Sequence, residues 1–162
     1  QARTFCSWLG ARLPSESEWE FAARNGPDAD TYPWGGDSPT CDLALGPECF
    51  GWTITDETLP RMLSGDMEEV CSRTAGNTAS GLCDMSGSLW EWVEDRYHDT
   101  YDGAPSDGSA WTSGNGGRVV RGGSCGAWYM WPYDVDWYLR STTRGSVDAD
   151  LGGEYLGFRC AR

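Results

Sequence analysis

The sequence predicts an α+β domain that is poor in regular structure. Helical patterns come early in the chain and strand patterns come late. The 162 residues are punctuated by 22 Gly and 8 Pro. Apolar residues make up only 39%, yet 10 Trp, 7 Tyr and 4 Phe supply bulky side chains for a core. That much punctuation excludes a helical bundle or a coiled coil. The length suits a single domain over residues 1–162.

Residues 4–9 (TFCSWL) read as the end of a helix stopped by Gly10. After Arg12-Leu13-Pro14, Ser15 and Glu18 have capping-box spacing, so each side chain can satisfy an orphan amide of the other. Trp19, Phe21, Ala22 and Ala23 carry the apolar residues of that second helix, and Gly26-Pro27 ends it. From about 27 to 80 there is little periodicity, and Cys41, Cys49 and Cys71 mark these residues as stapled loops rather than a linker. Residues 82–93 (LCDMSGSLWEWV) read as a dense apolar turn followed by a polar stretch. RVVRGGS (118–124) is a strand closed by a double Gly, WYLRSTTR (137–144) alternates like a strand, and YLGFRC (155–160) is a last short strand. Trp8, Trp90 and Trp92 are expected in the core, and Gly87, Gly122 and Gly123 at backbone positions needing positive φ or close approach. Arg12, Arg140 and Arg159 are expected to be buried forks on carboxylates such as Glu18, Glu20 or Glu91.

Charge narrows the function classes. The net charge is -13, and all twelve basic residues are Arg. Such a surface repels phosphate backbones and anionic lipid, which argues against nucleic-acid partners. No apolar run approaches the roughly 18 to 20 residues of a membrane span, so no membrane insertion is expected. Seven cysteines without a CxxC, beside a single His, make no zinc-finger set. They suit an oxidising compartment, with up to three disulfides and one thiol left over. His98 lies in the polar run DRYHDTYD, which reads as solvated and leaves no nucleophile–His constellation.

The ordered motifs ARLPSESEWEFAAR, TYPWG, GNTASGLCDMSGSLWEWVEDRY, RVVRGGS, LRSTTR and LGFRCAR resemble formylglycine-generating enzyme (sulfatase-modifying factor) domains from about residue 4 onward. The resemblance implies a loop-rich variant of the C-type-lectin fold. It lacks that family's N-terminal strands and first helix, so an N-terminal part of the domain is expected upstream of Gln1. Asp84, Gly87, Leu89 and Glu91 match positions that hold a structural Ca²⁺ in the family, two through carboxylates and two through main-chain carbonyls. Asp56, Asp66 and Glu68 are compositional candidates for the family's second calcium site and are not assigned. Cys6 and Cys160 match a family disulfide. The family's other disulfide falls on Ala23 and Ser141. Cys41–Cys49 and Cys71–Cys83 are the remaining pairs expected, because they close short loops.

The family's enzymes use O₂ and a cysteine pair binding copper(I) after GGS to oxidise a substrate cysteine, within a Cys-x-Pro-x-Arg motif, to formylglycine. Soft Cu(I) demands converging thiolates. The two positions fall here on Ala127 and Asp136, and Cys125 and Met130 are the only sulfur groups between Ser124 and Arg140. No catalytic residues are therefore expected, and copper is not an expected cofactor. In place of the pair stands CGAWYMWPYDVDWY (125–138), where Trp128, Tyr129, Trp131, Tyr133, Asp134, Asp136 and Trp137 have the composition of a recognition surface. The expectation is a secreted, periplasmic or cell-surface domain, stabilised by calcium and disulfides, that binds a protein, peptide or glycan. One alternative is a copper-dependent oxidase with rearranged ligands. Another is a variable ligand-binding protein of a diversity-generating retroelement, whose frame from GGS to GFR is similar.

Overall fold

The structure is a computed structural model that describes residues 1–46, 49, 67–126 and 135–162. Its first helix, α1 (Ala2–Trp8), ends before Gly10, which adopts φ +70°. The second, α2 (Glu16–Ala23), starts on the expected capping box: Ser15 accepts the Glu18 amide and Glu18 accepts the Ser15 amide. Here local sequence fixes local structure, because both orphan donors lie within three residues of their acceptors.

Four strands form the sheet: β1 (Trp90–Arg96), β2 (Arg118–Arg121), β3 (Arg144–Val147) and β4 (Leu156–Phe158). Their order is β3-β2-β1-β4, antiparallel except for the parallel β1–β4 pair. Alternation along β1 divides the core in two. Trp90 and Trp92, with Val120, pack against Tyr32, Ala44, Tyr138 and Leu139. Val93 and Val119 pack against Trp19, Ala23 and Met85 on the α2 side. A short helix, α3 (Val135–Tyr138), covers the end of the first cluster, where Tyr138 meets Trp90 edge-on at 5.5 Å.

Several sequence expectations are corrected. Residues 137–144 are not a strand: Trp137 and Tyr138 end α3, and regular pairing begins only at Arg144. The alternation there comes from a turn that buries Leu139, Ser141 and Thr143 while exposing Arg140 and Thr142. Nor is the apolar stretch through 93 a turn throughout, since β1 starts at Trp90 and runs into the polar residues beyond it. Trp8 is 78% exposed rather than core, because α1 meets the body through Cys6 and through Phe5 against Phe158. Arg12 does fork onto Glu18, at 2.6 and 2.7 Å, but at the surface. Arg140 is exposed and forms no ion pair among the described residues. His98 is half-buried, stacked on Trp111 at 3.5 Å, with Nδ1 3.0 Å from the Arg96 carbonyl.

The disulfides are Cys6–Cys160, Cys41–Cys49 and Cys71–Cys83, with Cys125 free and buried. Ala23 and Ser141, which match a family disulfide, are neighbours here too: the Ser141 hydroxyl donates to the Ala23 carbonyl at 3.1 Å. A hydrogen bond stands where a covalent link would fit.

The Arg12–Glu18 pair gives an acid-dependent prediction. Hydrogen bonds from Arg12 come first among the causes that hold the Glu18 carboxyl at about 2. A folded carboxyl titrating below its unfolded value stabilises above the unfolded range and loses that contribution as pH falls through about 2. The side chains are 52% and 39% exposed, so solvent screening limits the pair to about 0.5 kcal/mol. Glu18→Gln keeps the capping geometry and should cost about that much near neutrality in urea denaturation. The difference from wild type should disappear near pH 2.

Candidate functional site

The sheet delivers β2 into Gly122-Gly123-Ser124-Cys125, and this segment forms the base of the candidate site. Gly122 and Gly123 adopt φ +94° and +73°. A Cβ on Gly123 would stand 3.1 Å from the Tyr138 carbonyl and 3.2 Å from its ring, so the glycines let the chain turn beneath α3. Ser124 is fully buried; its hydroxyl donates to the Gly126 carbonyl at 2.9 Å and its amide to the Tyr138 hydroxyl at 3.2 Å. Burial pushes the Tyr138 hydroxyl upward, so it stays a neutral hydrogen-bonding group.

Cys125 sits at the mouth of this segment. Its Sγ lies 3.6 Å from the Met67 Sδ, to which it can donate, and burial pushes its thiol up. A buried neutral thiol is a poor nucleophile and a poor metal ligand. The other six cysteines are all in disulfides, so the oxidised chain offers one thiol where a thiolate copper centre needs two.

Of the predicted recognition residues, Asp136 and Trp137 are described; Trp128, Tyr129, Trp131, Tyr133 and Asp134 lie outside the described residues. Asp136 is held through its carbonyl, which accepts from the Tyr32 hydroxyl at 2.9 Å, and its carboxylate, which accepts from Ser38 at 3.3 Å. Trp137 is 43% exposed. Beside them Tyr32 and Trp34 stack in parallel at 5.1 Å, and Trp34 Nε1 donates to the Asp37 carbonyl. Sequence reasoning treated TYPWG as a motif without a role. The structure makes it the support for α3, with the Tyr32 hydroxyl on the Asp136 carbonyl and the Tyr32–Trp34 pair packed in the cluster that holds Tyr138. Its only sequence signal was the density of aromatics around a Pro and a Gly.

The turn before β1, together with Glu91 in β1, carries the expected calcium ligands. Asp84, Gly87 and Ser88 all adopt left-handed conformations, with φ +51°, +78° and +62°. A Cβ on Gly87 would lie 2.6 Å from the Leu45 carbonyl oxygen, so only Gly fits there. Gly87 donates its amide to the Gly122 carbonyl, and Ser88 accepts from the Cys125 amide, which ties this turn to the base of the site. One Asp84 oxygen accepts from the Cys71 amide at 2.7 Å. Glu91 accepts from Arg159 at 2.6 and 2.7 Å and from Trp19 Nε1 at 2.8 Å. Two carboxylates beside the main-chain carbonyls of a tight turn fit a hard cation in kind. Asp84 has the carboxylate oxygen less engaged, while Glu91 shares its charge with Arg159. Of the unassigned residues for a second site, Asp56 and Asp66 fall outside the described residues, and Glu68 pairs with Arg73.

Behind β2 runs an ion network that sequence reasoning missed. Glu16 and Glu20, one turn apart on α2, both face the sheet. Arg144 forks onto Glu16 at 2.8 and 2.7 Å and lies 4.5 Å from the ring centroids of both Tyr97 and Tyr101. Arg121 is wholly buried, pairs with Glu20, and donates to the Ser141, Thr142 and Thr143 carbonyls. These three carbonyls hold the chain between α3 and β3, so the network sets the position of the segment that follows the site. A cleft of about 370 Å³ lies beside α2, between Glu16 and Glu20 on one side and Tyr101, Pro105 and Trp111 on the other, and Cys125 does not line it.

The fold, the GGS turn and the WEW strand match a known family along the whole chain. The profile of the sulfatase-modifying factor enzyme 1-like domain covers residues 1–162. The chain belongs to that family. It is 32% identical to the inactive C-alpha-formylglycine-generating enzyme 2 of Bos taurus over 99% of this chain and 46% of the relative. It is also 32% identical to the formylglycine-generating enzyme of Streptomyces coelicolor, over 99% and 49%. The chain thus spans about half the length of these relatives. Among solved structures, PvdO from Pseudomonas aeruginosa superposes with a TM-score of 0.70 at 28% identity, over 97% of this chain and 56% of that one. Treponema denticola variable protein 1 gives 0.61 at 25%, over 91% and 45%. Three disulfides are the chemistry of an oxidising compartment. Among the described residues no helix is long and apolar enough to cross a membrane.

Proposed function

We propose that this sulfatase-modifying-factor-like domain is a non-catalytic binding module of an exported protein, recognising a protein, peptide or glycan through the aromatic segment at 127–138. The observation that carries this reading is the cysteine inventory: one free thiol, buried and held neutral against Met67. The similarity to an inactive family member is in keeping with it, while the equal similarity to an active one makes the oxidase the reading to test against. The test is turnover. The domain, oxidised and reduced, is incubated with Cu(I), O₂ and a Cys-x-Pro-x-Arg peptide, beside an active family member. No aldehyde should form on the peptide by mass spectrometry. Conversion would sink the binding-module reading. Binding itself is then sought on peptide and glycan arrays, where Trp137→Ala should weaken any specific signal by about 10-fold or more, the scale of an aromatic anchor.

The likeness to variable protein 1 favours a second reading, in which residues 125–156 vary among copies of the gene while GGS and GFR stay fixed. Sequencing the locus in sister isolates tests it: substitutions concentrated in that interval support it, and uniform substitution opposes it.

The calcium proposal belongs to the same module. Asp84 and Glu91 would supply carboxylate oxygens, and Gly87 and Leu89 main-chain carbonyls, with the bound ion neutralising the turn and stiffening its contact with Gly122. Calcium at 100 times its dissociation constant should add about 2.7 kcal/mol of stability, read as a rise in Tm that a chelator reverses. Asp84→Asn should abolish most of the rise. No shift in wild type up to millimolar calcium would remove the ion from the account.

A further inference from the structure

The Cys71–Cys83 disulfide differs from the other two in what lies beside it. The Sγ atoms of Cys71 and Cys83 and a carboxylate oxygen of Asp84 all lie within 4.8 Å of one another. Asp84 is not there by chance of surface packing. One of its oxygens accepts the Cys71 amide at 2.7 Å, which holds the carboxylate over the cysteine turn. Arg159 Nη2 donates to the Cys83 and Asp84 carbonyls at 3.0 and 3.3 Å, so the strand-end arginine fixes the backbone carrying two of the three groups. Cys71 is exposed, so a reductant can reach the bridge.

We propose that reduction turns this corner into a site for a zinc-class divalent cation, with the Cys71 and Cys83 thiolates and the Asp84 carboxylate as ligands. Zinc takes sulfur at about 2.3 Å and carboxylate oxygen at about 2.0–2.2 Å in a tetrahedron, and an open fourth position is filled by water. Two such bonds at the tetrahedral angle place the sulfurs about 3.8 Å apart. The Cα atoms are already 5.1 Å apart, so rotation of the two side chains opens that gap without moving the backbone. The chemistry balances with a dithiol as reductant. Its two thiols pass two electrons and two protons to the bridge and leave as a cyclic disulfide, giving two cysteine thiols. Metal entry then releases both protons to solvent. The site exists only in the reduced form, so metal capture reports the redox state of the compartment. It does not depend on the ligand-binding reading. It competes with calcium for Asp84 only after reduction.

The test uses the wild-type chain. The protein is reduced with a phosphine, freed of excess, and alkylated with iodoacetamide with and without one equivalent of Zn²⁺; each cysteine is then read by peptide mass spectrometry. Zinc should slow alkylation of Cys71 and Cys83 about tenfold or more and leave Cys41 and Cys49 unchanged. Co²⁺ should give a thiolate charge-transfer band in the reduced protein and none in the oxidised one. Asp84→Asn should weaken zinc affinity by at least about tenfold. Equal protection of Cys41 and Cys71, or none at either, overturns the site. Unchanged affinity in Asp84→Asn overturns the three-ligand assignment. Calcium titration of the oxidised protein is read separately, so failure of one metal is not mistaken for failure of the other.

Discussion

Arg121→Met will cost the domain about 3–5 kcal/mol, the range for breaking a buried ion pair by removing one partner. The guanidinium has no solvent exposure. It pairs with Glu20, lies 3.7 Å from Glu16, stacks 5.2 Å from the Trp19 ring and satisfies three consecutive carbonyls at 141–143. Methionine fills most of the volume but leaves those three acceptors without this donor, and leaves the Glu20 carboxylate to its ion pair with Arg24. Lysine should not rescue it, because one ammonium cannot span a carboxylate and three carbonyls that a planar fork reaches together. At this chain length the loss corresponds to a fall in Tm of about 10 °C or more. Urea denaturation measures it, with Arg140→Ala as the surface control expected to stay within about 0.5 kcal/mol. A loss under about 1 kcal/mol in Arg121→Met would mean that water reaches the network and that Arg121 does not hold the 141–143 segment.

The same arginine shows where sequence reading stops. The capping box at Ser15 and Glu18 is legible because its partners are three residues apart. The turn glycines at 87, 122 and 123 are legible because a Gly in such a place has few other uses. Strand β1 is not, since its polar residues look like a surface turn. Glu91 and Asp95 point into the α2 face with Val93, and they are tolerated there because Arg159, Trp19 Nε1 and the amides of Glu16 and Trp111 meet them. Those partners lie 16 to 79 residues away. Burial raises the Asp95 pKa above the ordinary carboxylate value even so. The choice of which arginines are buried fails in part for a related reason: Arg159 forks onto Glu91 as expected, but Arg12 and Arg140 are exposed, and Arg121 gains its buried role only when β2 is laid against α2. Glu16 and Glu20 did carry a usable signal, because two acids at i and i+4 on the apolar side of a short helix require cations from elsewhere. At the candidate site, Cys125 was legible as the leftover thiol, but its neighbour Met67 was not, being 58 residues away in a stretch without periodicity.

Loss of the Cys6–Cys160 link, in Cys6→Ser/Cys160→Ser, should be the most destabilising of the three possible disulfide deletions. Its cysteines are separated by 154 positions, against 8 for Cys41–Cys49 and 12 for Cys71–Cys83. Chain entropy assigns it about 5 kcal/mol and the others about 2.5 and 3. Native contacts around it do not duplicate the constraint. Arg12 and Ala161 form a single two-bond bridge, and Phe5 meets Phe158 at 5.6 Å, so α1 and the chain after β4 are joined mainly through the sulfur link. A domain whose whole stability lies in the usual 5–15 kcal/mol range loses a third or more of it. Urea denaturation of the double variant without reductant, compared with Cys41→Ser/Cys49→Ser, decides the matter. If the two variants lose the same free energy, the unfolded chain is already held compact between its ends and loop length does not rank these links. If the long link costs twice the short one, α1 belongs to the folding unit because of Cys6, which explains how its exposed Trp8 face is tolerated at all.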